Sequence, residues 1–486
     1  MSDAAGITFY WHDYETFGAD PARDRPAQFA GVRTDADLNV IGEPLVIFCR
    51  PANDFLPQPG ACLVTGITPQ QALADGVPEN EFIARIHEEL SRPGTCGVGY
   101  NSLRFDDEVT RHTLYRNFFD PYAREYRDGN SRWDIIDMVR TARALRPDGI
   151  VWPLREDGHA SFRLEDLTAA NGISHEGAHD ALSDVHATIE LARLVRRRQP
   201  KLFEYLLQHR DKRSAQAQLD TASMKPVLHV SGMFGGARHN IALIAPLAQH
   251  PVNKNEVICW DLAADPAMLV DGQVDDIREL LYTRTEDLPA GVARPGFKSV
   301  RINRCPVLLP AKMADPETAR RLGIDGDTCR AHLAALRAWR AADGPASEAK
   351  LRGIHAARER PAVSDPDLML YSGGFFSDQD RRTMDAVRAA SPAELAVDSF
   401  VFEDARLPEM LYRYRARNCP GSLSQQEKAQ WEEYRFQRLT DPAFGASLCM
   451  EEFQEEVDAR LAAPDLPDTQ RDILGQLLEY ADHLLA

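Results

Sequence analysis

The sequence predicts an α/β domain at the start of the chain, then a smaller β-rich domain, and then a helical domain. Short apolar strands alternate with amphipathic helical segments through the first 195 residues, which is typical of an α/β domain. Short β-like runs punctuated by Pro, Gly and Asn follow, and helical periodicity dominates after them. We place the three domains at residues 1–197, 198–358 and 359–486.

Each element of the first domain is predicted from its hydrophobic pattern. Short apolar runs indicate strands, and apolar residues spaced three or four apart indicate helices. The predicted strands are 7–11, 45–48 and 96–100, and the predicted helices are 82–90, 106–115, 135–145 and 180–194.

The later domains are separated by polar stretches at residues 196–201 and 359–367. In the second domain we predict strands at 226–230, 241–244, 257–260 and 307–309, and helices at 318–322 and 330–341. In the third domain we predict helices at 378–390, 405–417, 424–437, 444–461 and 469–485.

Composition argues against export and against membrane insertion. The chain has no run of 18 or more apolar residues, and its first residues contain neither a basic stretch nor a cleavable apolar segment. Its eight cysteines form no Cys-x-x-Cys pair, so we interpret them as reduced core residues rather than zinc ligands. We therefore expect a cytoplasmic protein that does not bind membranes.

The net charge of −18, taken alone, disfavours a nucleic-acid partner, because phosphate binding favours a basic face. The charge is uneven, however. Residues 193–225 contain nine Lys or Arg and three acids, whereas residues 451–486 contain ten acids and two Arg. The basic run is either a solvated helix face or a track for a phosphate backbone, and composition leaves both open.

The first candidates for chemistry are Asp13 and Glu15, which follow the first predicted strand. Side chains alternate faces along a strand, so the two carboxylates point the same way. Such a pair suits a hard divalent cation such as Mg²⁺, which prefers oxygen ligands. An isolated Asp-x-Glu is more often two acids on a solvated edge, so the hypothesis of a metal site depends on the other motifs in the sequence.

Two later motifs add carboxylates and a histidine. Asp106 opens a predicted helix after a strand. His179 lies at the start of a later helix, and Asp184 lies one turn inside it. A lone histidine at such a position is more often a cap or a surface residue than a base.

Together, Asp-x-Glu at 13–15, Phe-Asp at 105–106 and His-x-x-x-x-Asp at 179–184 resemble the DEDDh branch of the DnaQ-like exonuclease superfamily. The match extends along nearly the whole chain to the bacterial exodeoxyribonuclease I family. The flanking segments that carry it are 99–108, 130–134, 161–165, 230–235, 373–378 and 412–418.

The resemblance implies an RNase H-like (DnaQ-like) exonuclease domain, an SH3-like β-rich domain and a helical C-terminal domain. It also implies a processive 3′–5′ exonuclease that degrades single-stranded DNA to 5′-mononucleotides in DNA repair or recombination. A channel formed by three domains would keep the strand bound between cuts and exclude duplex DNA.

The same resemblance implies hydrolysis with two Mg²⁺ ions, for which Mn²⁺ can substitute. The metal ligands would be the carboxylates of Asp13, Glu15, Asp106 and Asp184. His179 would act as the general base, since an imidazole with a pKa near neutrality accepts a proton from water. Three other histidines are weaker candidates for that role: His12, His175 and His186.

Single strands are held by basic grooves and aromatic stacking surfaces. The resemblance assigns the terminal nucleotide to Glu15, Thr16 and Phe17, and a phosphate near the scissile bond to Arg163. For any one aromatic residue, packing in the core is the simpler explanation. The other strand contacts that the resemblance implies are Arg111, Tyr122, Tyr126, Arg140, Lys212, Asn255, Lys298, Ile302 through its backbone, Arg337 and Tyr371.

The family resemblance implies a second partner, the acidic C-terminal tail of the single-stranded DNA-binding protein. Such a peptide needs a basic rim around an apolar pocket. We expect a monomer. The candidates for the basic rim are Arg146, Lys225, Arg337 and the cluster Arg413, Arg415 and Arg417.

Two other functions remain open at this point. A DEDDh exoribonuclease or proofreading nuclease would share the catalytic residues, but such enzymes usually have a single catalytic domain. A non-catalytic module that binds single-stranded DNA would keep the fold without turnover, although all five catalytic positions carry the expected residue type.

Overall fold

The computed structural model describes residues 6–175, 180–358, 362–396 and 400–485. The chain folds as two compact units. The first unit contains residues 1–131, 174–189 and 361–486, and the second contains residues 132–173 and 190–360. Segments from opposite ends of the sequence therefore share one unit.

The N-terminal part of the first unit is a sheet covered by helices. Its strands are β1 (Thr8–Thr16), β2 (Pro26–Thr34), β3 (Leu45–Phe48) and β4 (Thr95–Gly99), and its helices are α1 (Pro59–Thr65), α2 (Pro69–Asp75), α3 (Glu79–Leu90) and α4 (Asp106–Arg116). These strands lie in the order β3-β2-β1-β4. Because β1 pairs antiparallel with β2 and parallel with β4, it lies inside the sheet.

The middle of the chain supplies the second unit. Its strands are β5 (Ser131–Asp134), β6 (Val227–Val230), β7 (Ile241–Gln249), β8 (Glu256–Asp261), β9 (Phe297–Arg301) and β10 (Val307–Pro310). The last five form an antiparallel sheet in the order β10-β6-β7-β8-β9. The helices are α5 (Ile136–Leu145), α6 (Leu164–Ala170), α7 (Ala181–Arg198, whose start belongs to the first unit), α8 (Pro200–Gln208), α9 (Lys212–Gln218), α10 (Ala267–Asp271), α11 (Val274–Tyr282), α12 (Pro316–Arg321), α13 (Gly326–Ala342) and α14 (Gly344–Ile354).

The C-terminal segment returns to the first unit as helices. These are α15 (Asp378–Ala389), α16 (Pro392–Leu395), α17 (Arg406–Asn418), α18 (Gln425–Thr440), α19 (Met450–Leu461) and α20 (Asp468–Leu485). Phe17 and Phe55 from the N-terminal segment share one hydrophobic core with Phe453, Leu474 and Leu477 from α19 and α20. Each fully buried side chain of this size contributes roughly 1.5–3 kcal/mol, so this shared core stabilises both segments together.

A buried ion-pair network also joins the two segments of the first unit. The fully buried Asp54 carboxylate accepts from Arg417 at 2.8 Å and lies 3.6 Å from the Arg438 guanidinium. Although burial alone would raise the pKa of Asp54, the neighbouring guanidiniums hold it well below its ordinary value. The carboxylate of Asp367 pairs with Arg417 in turn.

This network corrects one prediction. The side chains of Arg413, Arg415 and Arg417 are buried, so they do not form an exposed basic rim. Arg413 pairs with Asp365 at 2.6 Å, and Arg415 pairs with Glu427 at 2.6 Å. These guanidiniums are committed to carboxylates inside the first unit, and we remove them from the candidates for binding an acidic peptide.

The predicted fold class is confirmed, but individual elements differ. Strand β2 was not predicted, because Pro26, Gln28 and Arg33 interrupt its apolar pattern although the whole strand is buried. Helix α19 begins at Met450 rather than at 444, since Gly445 adopts a left-handed conformation (φ 76°) after a short 3₁₀ turn. Among the described residues, no helix is both long and apolar enough to cross a membrane.

Candidate active site

The carboxylates of Asp13 and Glu15 lie on one face of β1. The residues between and before them, Tyr10, His12 and Tyr14, occupy the opposite face, and both tyrosines pack into the core of the sheet. The period of two along the strand therefore places the two carboxylates together, at the end of a face whose earlier residues, Phe9 and Trp11, are buried. Glu15 is buried, and Asp13 is partly buried.

Asp106 approaches the same strand from α4, of which it is the first residue. Its Oδ1 accepts a hydrogen bond of 3.1 Å from the backbone N–H of Tyr14. The free N–H groups and the dipole at a helix N-terminus favour a carboxylate at this position. The contact with Tyr14 holds Asp106 beside the strand that carries Asp13 and Glu15.

Asp184 reaches the site from the first turn of α7. This helix starts after Asp180, whose Oδ2 accepts from the backbone N–H of Ser183 at 3.1 Å and so caps the helix. The Nε2 atom of His175 contacts Oδ1 of Asp184, and the imidazole is largely buried. One carboxylate oxygen of Asp184 is therefore oriented by a neighbouring side chain.

The structure brings three of the four predicted carboxylates into one cluster. One oxygen each from Asp13, Glu15 and Asp184 lie within 4.8 Å of one another. Burial and the negative charges of Asp184 and Asp106 together raise the pKa of Glu15 to about 8. Burial, Asp106, Glu15 and Asp184 also raise the pKa of Asp13 well above its ordinary value.

This electrostatic strain is what a cation would relieve. Anionic oxygens crowded in a partly buried site repel each other, and a bound cation lowers the cost of keeping them all ionised. The set contains oxygen donors and no thiolate, which suits a hard divalent ion. Asp106 is not a member of the 4.8 Å cluster, but its charge acts on both Asp13 and Glu15.

The candidate bases are distributed differently. His179, the predicted general base, lies outside the described residues. His12 is on the opposite face of β1 from the carboxylates, and burial lowers its pKa to about 4. His186 is exposed, and His175 contacts Asp184.

Comparisons with known proteins agree along the whole chain. Residues 10–192 match the Exonuclease family, residues 210–355 match the Exonuclease I SH3-like domain, and residues 364–484 match the Exonuclease I C-terminal domain. Exodeoxyribonuclease I of Escherichia coli K12 is 52% identical over 434 residues, which cover 89% of this chain and 90% of that relative. This chain belongs to the exodeoxyribonuclease I family.

Solved structures from the exodeoxyribonuclease I family are similar over their full length. E. coli exonuclease I in complex with a dA16 oligonucleotide has a TM-score of 0.93 and 47% identity, covering 98% of this chain and 100% of that chain. The zinc-bound form of the E. coli enzyme with single-stranded DNA has the same TM-score and identity, covering 99% and 100%. An SSB/exonuclease I structure with the inhibitor CFAM has a TM-score of 0.89 and 46% identity, covering 99% and 100%.

Thr16 and Phe17, the predicted contacts of the terminal nucleotide, follow Glu15 in the sequence. The Thr16 hydroxyl donates to the carbonyl of Gly18 at 2.7 Å. The ring of Phe17 is buried against Phe55, with ring centroids 6.3 Å apart. Phe17 therefore belongs to the core of the first unit, and its ring is not exposed for stacking.

Arg111 is also buried, although the family resemblance assigns it to the strand. Its guanidinium donates to Glu125 at 2.7 and 2.9 Å and to Glu108 at 3.0 Å, and it lies over the ring of Tyr122. It also donates to the hydroxyl of Tyr371 at 3.1 Å, and that hydroxyl donates to Glu108. Arg111 thus positions two aromatic rings.

Glu108 was not predicted as a site residue. The only signal in the sequence was its position in the Asp-Asp-Glu run that opens α4, because its partner Tyr371 lies 263 residues further along the chain. Tyr371 is 57% exposed and Tyr126 is 63% exposed, so both rings are accessible to a ligand.

In the second unit, two predicted contacts lie near the start of helices. Arg163 is exposed immediately before α6. The Nζ atom of Lys212, the first residue of α9, donates to Oδ1 of Asn255 at 2.6 Å. Arg140 pairs with Asp137 at 2.7 Å and lies over the ring of Phe162.

The other predicted contacts of the second unit differ in exposure. The Nζ atom of Lys298 donates to the Ser231 hydroxyl at 3.1 Å and lies 4.9 Å from the ring centroid of Phe234. The side chain of Ile302 is buried, and its backbone N–H donates to the carbonyl of Asn255 at 2.9 Å.

The residues predicted to bind an acidic peptide also lie in the second unit. Lys225 and Arg337 are exposed, and Arg337 donates to the carbonyl of Ser223 at 2.9 Å. Arg146 is partly buried and donates to the carbonyl of Leu145 at 2.6 Å. None of these three guanidinium or ammonium groups has a carboxylate partner among the ion pairs found in the described residues.

Proposed function

We propose that this chain is a processive exonuclease that removes 5′-mononucleotides from the 3′ end of single-stranded DNA. The observation that carries the proposal is the cluster of Asp13, Glu15 and Asp184, with Asp106 beside it, in a chain of the exodeoxyribonuclease I family. The family includes a relative solved with a dA16 oligonucleotide. Membership along the whole chain also favours this activity over that of a single-domain exoribonuclease or proofreading nuclease.

The family implies dependence on divalent metal ions, and we propose Mg²⁺ as the ion, two per site, with Mn²⁺ able to substitute. Asp13, Glu15 and Asp184 would hold the ions, and Asp106 would contribute directly or through water. When bound, the ions supply positive charge that stabilises the attacked phosphate and the leaving oxygen.

Contacts within the chain position the carboxylates that would hold the ions. The hydrogen bond from Tyr14 fixes Asp106 against β1, and the contact with His175 orients Asp184. We propose that His179 accepts the proton of the attacking water, since it precedes Asp184 by five residues in the family motif. Carboxylates that hold cations would be weaker bases than an imidazole, because the positive charge lowers their pKa.

We propose that the strand contacts exposed rings and cations, including Tyr126, Tyr371, Arg163 and Lys212. Rings stack on bases without reading sequence, and cations contact the phosphates. Contacts to nucleotides upstream of the terminus slow dissociation after each cut, which is the requirement for processivity.

A second binding function is proposed for the exposed cations Lys225 and Arg337 together with Arg146. They suit the acidic tail of the single-stranded DNA-binding protein, and an SSB/exonuclease I structure has been solved for a relative. The enzyme would act as a monomer in the cytoplasm during DNA repair or recombination.

The test is digestion of end-labelled oligonucleotides. Single-stranded DNA labelled at its 3′ end should release labelled mononucleotide with Mg²⁺ and none with EDTA, while a matched RNA and a duplex should persist. Asp184→Ala should abolish release and retain strand binding, whereas the exposed control His186→Ala should remain active. Early release of a 5′ label would contradict the polarity, and undiminished hydrolysis by Asp184→Ala would contradict the metal assignment.

A further inference from the structure

The backbone that carries Glu15 is irregular where it leaves the sheet. The pairing of β1 with β2 shifts between Glu15 and Thr16, since Glu15 lies opposite Gln28 whereas Thr16 lies opposite Pro26. A shift of this kind bends the strands locally and re-aims the neighbouring side chains. The regular ladder of the sheet therefore does not fix the direction of the Glu15 carboxylate by itself, and the segment that follows β1 contributes to it.

The loop between β1 and β2 folds back on a buried carboxylate, that of Asp24. Its Oδ2 accepts a hydrogen bond of 2.7 Å from the backbone N–H of Asp20, and the residue is only 3% exposed. Gly18 passes so close to it that a Cβ atom there would lie 2.2 Å from Oδ2. The carbonyl of Gly18 in turn accepts from the Thr16 hydroxyl at 2.7 Å. Contacts therefore run without a gap from Asp24 through Gly18 to the last residue of β1.

Asp24 also joins this loop to two segments that are distant in sequence. The Nε2 atom of Gln58 donates to Oδ2 of Asp24 at 3.1 Å, and the backbone N–H of Gln58 donates to the carbonyl of Phe17 at 2.8 Å. The hydroxyl of Ser447, which belongs to the C-terminal segment, donates to Oδ1 of Asp24. Donors from three parts of the first unit thus meet on one carboxylate.

The chemistry of this carboxylate differs from that of an ordinary ion pair. Its donors are a backbone amide, a carboxamide and a hydroxyl, all of them neutral, while the guanidinium of the neighbouring Arg25 pairs with Glu79 at 4.0 Å. Burial of a carboxylate is costly, and neutral donors offset that cost only when all of them are in place. The group is therefore suited to holding three segments in one arrangement.

We propose that Asp24 is a positioning residue for the metal-binding end of β1. By fixing the loop against Gly18, it holds Thr16, and with it the Glu15 carboxylate, in the arrangement that completes the carboxylate cluster. The contact with Ser447 makes this arrangement depend on the C-terminal segment. The inference rests on the proposed function, and it assigns Asp24 no contact with the metal or the strand.

The experiment measures Mn²⁺ binding to the folded protein by electron paramagnetic resonance titration without DNA. Asp24→Asn keeps the shape of the side chain, but its amide nitrogen cannot accept a hydrogen bond. Its Mn²⁺ affinity should therefore fall about tenfold, which is typical when a residue that supports a metal ligand is changed. Ser447→Ala should lower the affinity in the same direction, whereas Ser447→Thr, which keeps the hydroxyl, should bind Mn²⁺ as the wild type does. In EDTA, amide hydrogen exchange in residues 17–25 should be faster in Asp24→Asn and Ser447→Ala.

The matched control is Asp380→Asn on α15. Asp380 is 1% exposed and is also held by neutral donors, since it accepts from the backbone N–H of Glu403 at 2.8 Å and from the Ser377 hydroxyl at 3.2 Å. This variant should lose stability in urea and bind Mn²⁺ as the wild type does. It separates a general loss of stability from a change at the end of β1.

A folded Asp24→Asn variant that binds Mn²⁺ as tightly as the wild type would overturn the proposal. An equal loss of affinity in Asp380→Asn would also overturn it, because the effect would then follow from stability alone. If Asp24→Asn does not fold, Ser447→Ala decides in its place, and an unchanged Mn²⁺ affinity in that variant would refute the link to the C-terminal segment.

Digestion of a single-stranded oligonucleotide by the wild-type chain with Mg²⁺ tests the proposed function separately. A wild-type chain that binds Mn²⁺ without cleaving the strand would refute the proposed function and leave the role of Asp24 standing. A wild-type chain that cleaves the strand, with unchanged Mn²⁺ binding in Asp24→Asn, would refute only the role of Asp24.

Discussion

Crowding of carboxylates at the metal site predicts that the metal-free protein loses stability as the pH rises. The pKa of Glu15 is raised from its ordinary value of 4.5 to about 8 in the folded state. Between these values the folded state binds a proton that the unfolded state has released, so the free energy of unfolding decreases with increasing pH. The stabilisation is fully present below pH 4.5 and is lost as the pH rises through 8.

The size of the effect follows from the shift. One pKa unit corresponds to about 1.4 kcal/mol, so Glu15 alone should lower the free energy of unfolding by about 2.5 kcal/mol between pH 5 and pH 7. Asp13 should add to this loss, because its pKa is also raised well above its ordinary value by burial and by the same neighbours. A divalent cation at 100 times its dissociation constant should restore about 2.7 kcal/mol, since it binds the folded state.

The assay is urea unfolding in EDTA at pH 5, 6 and 7, followed by tryptophan fluorescence. Glu15→Gln should flatten the pH dependence and be more stable than the wild type at pH 7, because Gln is uncharged without the proton that Glu15 must take up on folding. Glu433→Gln, which neutralises an exposed acid on α18, should leave the slope unchanged. An identical slope in Glu15→Gln and the wild type would refute the electrostatic account of the site.

The remaining predictions concern side chains that hold other groups in place. His175→Ala should weaken Mn²⁺ binding by about tenfold or more, as measured by electron paramagnetic resonance titration, because Asp184 loses the contact that orients it; unchanged affinity would show that the contact is dispensable. Asp54→Ala should lower the free energy of unfolding by about 3–5 kcal/mol in urea, since Arg417 would remain buried without its carboxylate; a loss below 1 kcal/mol would mean that water reaches the guanidinium. The matched control for His175→Ala is His186→Ala, and the matched control for Asp54→Ala is Asp465→Ala. Both controls change exposed residues.

Much of the active site was predictable because its residues follow local rules. The period of two along β1 places Asp13 and Glu15 on one face, and the starts of α4 and α7 place Asp106 and Asp184 in first helical turns. Their convergence was not derivable from these rules, since it depends on which helix end meets which strand. The family resemblance supplied that information.

Polar residues inside the fold were the main source of error. Strand β2 was missed because Arg33 looks incompatible with a buried strand, yet its guanidinium donates to the hydroxyls of Thr8 and Thr95 and to the carbonyl of Glu89. A pattern within nine residues cannot reveal partners that lie 25 to 62 positions away.

The same limit explains the error at α17. In the sequence alone, the arginines of α17 indicate a basic surface. In the structure, Arg417 pairs with Asp54, which lies 363 residues earlier. Phe17 shows the converse case, because it stands beside the metal ligands in sequence while its ring lies in the core. Phe17 follows the last residue of β1, so the alternation along that strand does not predict the position of its ring.

The union of both chain ends in the first unit has a consequence for biosynthesis. Residues 6–131 leave the ribosome long before α17 to α20 are translated. Until then Asp54 lacks its arginine partners, and Phe17 and Phe55 lack the apolar side chains that later cover them. A chain that stops before α17 therefore leaves Phe17 and Phe55 without the side chains that complete their core, and it leaves Asp54 buried without its guanidinium partners. We expect such a truncated chain to expose apolar surface and to aggregate.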